Sequence, residues 1–556
     1  MSACAGSQVS GASLLLLAAS VLLSSNAQAQ SNRPYRPAFD VSDYVIAIDI
    51  PDSGATIHAK ATLTVRRTAR ADTLTLDLKD LSVNEVTVDG RRVRFVRDPE
   101  QILIPLPSRR GATPTYTVAV DYGGAVKDGL IVRVDSAGRS TYFGDNWPNR
   151  ARHWIPSIDH PSDKATVTWR VTAPASQTVV ANGKLVSTRP ARVKANSTPR
   201  METVWREARP IPVYLMVIAV APLARYQLGE AACGLTEAQR CIEQFVYTAP
   251  EQRDMLPGAF SRANEIVQLF SHLVGPFPYE KLAHLQSSTR FGGMENASAI
   301  FYSDGSFRRR TMNDGLIAHE TAHQWFGDAV TEREWAHLWL SEGFATYFAA
   351  LWTRAARGDS AFRTQMANVR QTVLADSASV TKRPVIDTIE TDYIALLNRN
   401  SYEKGGFVLH MLREQVGERA FFNAVRSYYL KHRHATAVTD DLRVEMERES
   451  KQNLGWFFDQ WLRRPGYPEV TATWSYDAGA HEAVISVNQG TRFGMFQFPL
   501  TVAAIDSAGT SHRRTVQMAS SPGAPQQLRI PMPSVPASVV LDPDVALLAS
   551  LVVQRE

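Results

Sequence analysis

Residues 314–347 read DGLIAHETAHQWFGDAVTEREWAHLWLSEGFATY, and the chain is organised around them. His319, Glu320 and His323 form H-E-x-x-H. Positions four apart share one face of a helix, so the two imidazoles meet at one point with Glu320 beside them. Two imidazoles and one carboxylate make a zinc site whose fourth position is open to water. The third ligand is expected on a following helix, and Glu342, with eighteen residues between it and His323, supplies it from W-L-S-E-G-F-A-T-Y. An alternative arrangement needs a third His six residues after the second, and that position is Ala329. Leu316, Ile317, Trp325 and Phe326 surround the motif with apolar side chains, as a buried helix requires. Zinc lowers the pKa of a bound water to roughly 7, which places Glu320 as the base that takes its proton. Asp328 is read either as a carboxylate supporting a ligand His or as a salt-bridge or cap residue.

A second stretch lies upstream. Gly292, Gly293, Met294, Glu295 and Asn296 read G-G-M-E-N. This resembles the G-x-M-E-N exopeptidase motif of the M1 family of zinc aminopeptidases, gluzincins that include exported bacterial members and the leukotriene-epoxide hydrolase group. In that family the motif precedes H-E-x-x-H, and the Glu ligand follows at the spacing found here. S-Y-E-K-G, with Tyr402, is similar to the family's Y-x-K-G. A-R-H-W-I-P-S-I-D-H-P-S-D-K-A (151–165) resembles another family segment, matched at Arg152, Pro156, Asp159, Pro161, Lys164 and Ala165 and departing from it at Ser157 and His160.

The resemblance implies roles. Glu295 would bind the substrate α-amino group, which sets the scissile bond one residue in from the end. Gly292 and Gly293 would let substrate backbone approach closely, and Met294 and Asn296 complete the segment. As an edge strand, G-G-M-E-N would pair with an extended peptide. Tyr402 would donate a hydrogen bond to the developing oxyanion without itself being charged. Many members carry a further acid or amide shortly before the matched Arg. Here that position is Trp147, with Asp145 nearby as a substitute. Ser341 stands where the family often has Asn before the Glu ligand.

A chain of 556 residues is too long for one core. Its net charge of +5 is small, and its dense basic run, Arg308–Arg310, is short, which argues against nucleic-acid binding. Ser13–Leu23 is apolar but too short to span a bilayer. With Ala27-Gln28-Ala29 behind it, it reads as a signal peptide cleaved after Ala29, sending the protein to the periplasm or the medium, with an uncleaved anchor as the alternative. No later stretch reads as transmembrane. In an exported chain, Cys233 and Cys241 are expected to form a disulfide, stabilising by about 2–3 kcal/mol.

The expected fold class is multidomain α+β. After the signal peptide (1–29) come an N-terminal all-β domain (30–243), a thermolysin-like α/β catalytic domain (244–466) and a small C-terminal β-sandwich (467–556). YVIAIDI, ATLTVRR, TLTLDLK, EVTVDG, ATVTWRV and VYLMVIAV alternate as strands. Helices are expected at 313–327, 337–357, 360–377, 402–416, 418–432 and 439–461, with Thr439-Asp440-Asp441 as a cap cluster. Alternation returns in EVTATWSY, EAVISVNQ and FQFPLTVAAID. The reading is an exported zinc metallo-aminopeptidase acting on peptides with a free N-terminus. Its alternatives are a zinc peptidase with relaxed end specificity and a non-catalytic binding protein on the same fold.

Overall fold

The computed structural model describes residue 35 and residues 38–109, 113–134, 138–192, 197–231, 242–521 and 523–556. The expected leader, residues 1–29, lies outside the described residues, as do Cys233 and Cys241. No helix among the described residues is long and apolar enough to cross a membrane.

Alternation builds the N-terminal domain. In Phe39–Asp49, Tyr44, Ile46 and Ile48 are buried and the residues between them are not, the period of a strand with one covered face. Val41 is buried too, out of phase, and there the register with Thr56–Arg67 shifts in a bulge. Phe39–Asp49 runs parallel to Lys164–Pro174 inside an eight-stranded sheet. A four-stranded and a three-stranded sheet complete this all-β domain. One expected strand differs. In VYLMVIAV, Val213–Leu215 form a short 3-10 turn and the strand begins at Ile218. Two buried amides take the carbonyls a neighbouring strand would have taken: Asn182 Nδ2 donates to Leu215 O (2.8 Å) and Asn146 Nδ2 to Met216 O (2.7 Å).

The next sheet has the order Ala224–Ala231, Ile242–Thr248, Lys281–Ser287, Ala299–Ser303, Gly293–Met294. G-G-M-E-N thus lies at its edge. The boundary expected at 243/244 falls inside this sheet, because Ile242–Thr248 pairs with Ala224–Ala231. A helix not anticipated, Ala263–Val274, buries Ile266, Val267, Phe270 and Val274 at helical spacing. The motif helix is Asp314–His323. The two helices expected at 337–357 and 360–377 are both present within Trp339–Ala375, separated at a non-helical Gly358 (φ 86°). The helix expected over 439–461 is two, Thr439–Ser450 and Gly455–Leu462, separated where Lys451 turns left-handed (φ 60°). At its start Asp441 accepts from Val438 N (2.8 Å), while Thr439 Oγ1 accepts from Trp339 Nε1 (2.9 Å), so Asp441 alone of the expected cluster caps.

The C-terminal part forms a four-stranded and a three-stranded sheet with Ile485, Val487, Leu500 and Val502 buried between alternating outward residues. It is tied to the catalytic helices by Arg370 on Asp542 (2.7 Å) and by His410 Nε2 donating to Val545 O (3.1 Å). From the N-terminal side, half-buried Lys164 reaches the loop behind the motif helix. Its Nζ donates to Asp328 O (2.9 Å), Ala329 O (3.0 Å) and Thr331 Oγ1 (2.9 Å). Burial pushes this ammonium down to about 7, against the pull of Asp328 and Glu332.

Candidate active site

The motif helix begins where the Asn313 side chain accepts from Leu316 N (3.0 Å), capping its first turn. One turn apart on its inner face, His319 and His323 place their Nε2 atoms 3.2 Å from each other. Glu342, from the first turn of Trp339–Ala375, brings Oε2 to 3.3 Å from each of them. The three donors therefore form a nearly equilateral triangle. Zinc bonds of about 2.0–2.1 Å arranged tetrahedrally place donor atoms about 3.3–3.4 Å apart, so this triangle has the dimensions of one face of such a site. Among the described residues Glu342 Oε2 has no hydrogen-bond partner, and it is shut off from solvent, the state of an oxygen kept for a ligand. The donor set fits zinc.

His323 is aimed from behind. Its Nδ1 lies 3.0 Å from Ser341 Oγ and 3.2 Å from Phe326 O. Donating there leaves Nε2 unprotonated and facing the triangle. Among the described residues the carboxylate of Asp328, weighed above as support for a ligand His, is bonded to neither imidazole; only its backbone N–H meets His323, at the carbonyl O (3.0 Å). Asp328 Oδ2 accepts from Gln324 Nε2 (2.8 Å). The same Nε2 donates to Glu295 O (2.8 Å), and Ser298 N donates to Gln324 Oε1 (2.8 Å). Gln324 thus ties the G-G-M-E-N segment to the motif helix.

Burial weakens the charged form of a neutral-pH imidazole and lowers His319, with His323 adding to that. His323 is also buried, but the carboxylates of Glu342, Glu295 and Glu320 outweigh that and raise it. Burial would raise Glu342, yet His323 and His319 hold it below the usual carboxylate range. Glu320 is raised well above that range, chiefly by burial, with Glu295 and Glu342 adding and His323 opposing. A carboxyl shifted toward neutrality is suited both to accepting and to returning a proton. Its side chain rests on bare backbone: a Cβ at Gly293 would sit 2.1 Å from Glu320 Oε1. Glu295, Glu320 and His323 each bring one donor atom within 4.8 Å of the others.

Tyr402 sits in a π-helical turn, Asn400–Lys404. Its Oη donates to Glu342 Oε1 (2.8 Å), and its ring stacks on His319 at 6.1 Å. Burial first, then Glu342, keeps this phenol protonated. All these groups open on one cavity of about 490 Å³. Gly292, Gly293, Met294 and Glu295 line it, and Asn296 is buried outside its wall. Trp147 lines it as well. Asp145 does not: its Oδ1 accepts from Arg150 (2.7 Å) and its Oδ2 from Arg290 N (3.1 Å).

Two family models match the chain, the peptidase M1 N-terminal domain over residues 41–215 and the peptidase family M1 domain over residues 259–461. The chain belongs to the M1 peptidase family. This M1 chain is 26% identical to aminopeptidase N of Lactococcus lactis subsp. lactis over 465 residues, 78% of its own length and 52% of the relative's. It therefore spans about half the length of that relative. It is 26% identical to the M1 zinc metallopeptidase of Deinococcus radiodurans, with a TM-score of 0.65 over 77% of this chain and 94% of that one. Legionella pneumophila aminopeptidase A shares the fold, with a TM-score of 0.78 at 16% identity over 92% of this chain and 59% of that one.

Several residues of this M1 site escaped the sequence reading. Ser341 was noted only as a departure, and Gln324 not at all. Thr346, on the cavity wall, lies one turn beyond Glu342 and was within reach of helical spacing. Phe291, Leu397 and Gln365 line the cavity through tertiary approach.

Proposed function

We propose that this M1 chain is a zinc-dependent aminopeptidase that removes N-terminal residues from peptides. The observation that carries it is the triangle of His319, His323 and Glu342 donor atoms, with Glu320 and Glu295 opening on the same cavity. In support, a variant of the Deinococcus radiodurans M1 enzyme was solved bound to the substrate Tyr-Ser-Ala.

His319, His323 and Glu342 would hold the metal, which when bound supplies a Lewis acid and a water acidic near neutral pH. Glu295 takes the substrate ammonium and so sets the first peptide bond beside Glu320. Glu320 takes a proton from the attacking water and hands it to the leaving amine. Tyr402, kept protonated, turns its Oη–H from Glu342 to the oxygen that gains charge. Gln324 keeps Glu295 in register with the motif helix. Trp147, Phe291 and Leu397 keep water from the amino end of the cavity.

The same proposal takes the chain to be exported, on the strength of Ser13–Leu23 and Ala27-Gln28-Ala29, with Cys233 and Cys241 paired. The test of function is turnover of a free-amine aminoacyl arylamide library beside N-acetylated controls. Free amines are expected to be cleaved and acetylated ones largely spared. Equal cleavage of both would favour relaxed end specificity, and cleavage of neither would favour a binding protein.

A further inference from the structure

The amino end of the cavity is built unevenly. Glu295 supplies a carboxylate to this cavity, and Trp147, Phe291, Met294 and Leu397 line it with carbon and sulfur. Trp147 is held rigidly, in edge-to-face contact with Phe291 (centroids 6.1 Å, 88°) and with Trp335 (5.3 Å, 74°). Trp335 in turn packs on Tyr214 and Tyr393 at 5.2 and 5.8 Å. The nearby acid does not line the cavity, and each oxygen of Asp145 already accepts a hydrogen bond, from Arg150 and from Arg290 N. Among the described residues lining the cavity there is no Lys or Arg, and its acids are Glu295, Glu320 and Glu342.

A primary ammonium donates three N–H groups. Glu295 has two oxygens to offer them. Glu320 and Glu342 are engaged by the reaction and the metal. Apart from the ligand imidazoles, the rest of the wall is mainly aromatic and aliphatic, with Thr346, Gln365 and Tyr402 its other polar side chains. An aromatic wall attracts a cation without needing an N–H from it. A methyl in place of that N–H leaves no acceptor unpaired, retains the charge and adds apolar contact.

We propose that Glu295 and the aromatic wall of Trp147 together form a one-carboxylate amine site, with Trp147 its specificity-determining residue, that accepts N-methylated amino termini as well as primary ones. This rests on the aminopeptidase reading and extends its substrate class to secondary amines. It sets the chain apart from a site in which a second polar group grips the amine and excludes the methyl.

The experiment compares leucine, N-methyl-leucine and N-acetyl-leucine arylamides on zinc-loaded wild type, Trp147→Phe and Trp147→Gln, with melting curves and zinc content recorded for each. In wild type, kcat/KM for the N-methyl substrate is expected within about tenfold of the primary amine, while the neutral acetyl substrate falls roughly 30-fold or more. Trp147→Phe keeps the aromatic wall and the ratio. Trp147→Gln sets an amide oxygen beside the amine and raises the primary-to-methyl ratio by about tenfold or more. Wild type rejecting N-methyl-leucine as fully as N-acetyl-leucine overturns the proposal, as does an unchanged ratio in a folded Trp147→Gln. Should the Gln variant not fold, the wild-type and Phe ratios decide. Cleavage of the primary amine alone sinks this inference and leaves the aminopeptidase reading standing. Cleavage of none of the three sinks both.

Discussion

Glu320→Gln is expected to fold, keep its zinc and lose nearly all turnover. The three donor atoms of the triangle belong to other side chains, and Gln preserves the volume that fits against Gly293. What is lost is the ability to take and return a proton, worth about 10²–10⁴ in rate. The measurement is kcat on a free-amine arylamide, with zinc content determined on the same sample. A variant that held its metal and kept more than a tenth of wild-type kcat would place the base elsewhere.

Glu295→Ala is expected to remove the preference for free amines. Glu295 is buried, and its burial raises its carboxyl against the pull of His323, so an incoming ammonium meets a poorly solvated partner. Truncating one member of such a buried pair costs about 2–5 kcal/mol, or roughly 30-fold to several thousand-fold in kcat/KM. The loss should fall on free-amine substrates and spare N-acetylated ones, which carry no charge to lose. Asp145→Asn is the control. Its carboxylate already serves Arg150 and Arg290 N, so the preference should survive there. An undiminished free-amine preference in Glu295→Ala would mean that another group holds the amine.

The parts of this molecule legible in its sequence are those set by local period and spacing. Four residues along a helix bring His319 beside His323, and the strand alternation of Phe39–Asp49 shows its buried face directly. The three-layer reading of β, mixed and β parts rests on the same periodicities and holds in the structure. Features that depend on distant approach were not legible. Nothing local says that Ser341 would meet His323, that Gln324 would bridge Glu295 and Asp328, or that Lys164 would cross from another domain. Asp328 was weighed as a ligand's support because it follows His323 closely, but the turn through Gly327 (φ 113°) carries it toward Gln324 instead. The break at Lys451 was hidden for a different reason: a left-handed Lys carries no Gly or Pro mark. The helix Ala263–Val274 carries a readable apolar period, with Ile266, Val267, Phe270 and Val274 buried at helical spacing.

One zinc, held by His319, His323 and Glu342, is expected to be required for cleavage. The most direct test of this requirement is zinc stoichiometry measured against activity on a free-amine arylamide, as metal is stripped by a strong chelator and then returned. One zinc per chain is expected, with activity that falls with zinc content and recovers when zinc is restored. Full activity in demonstrably metal-free protein would contradict it.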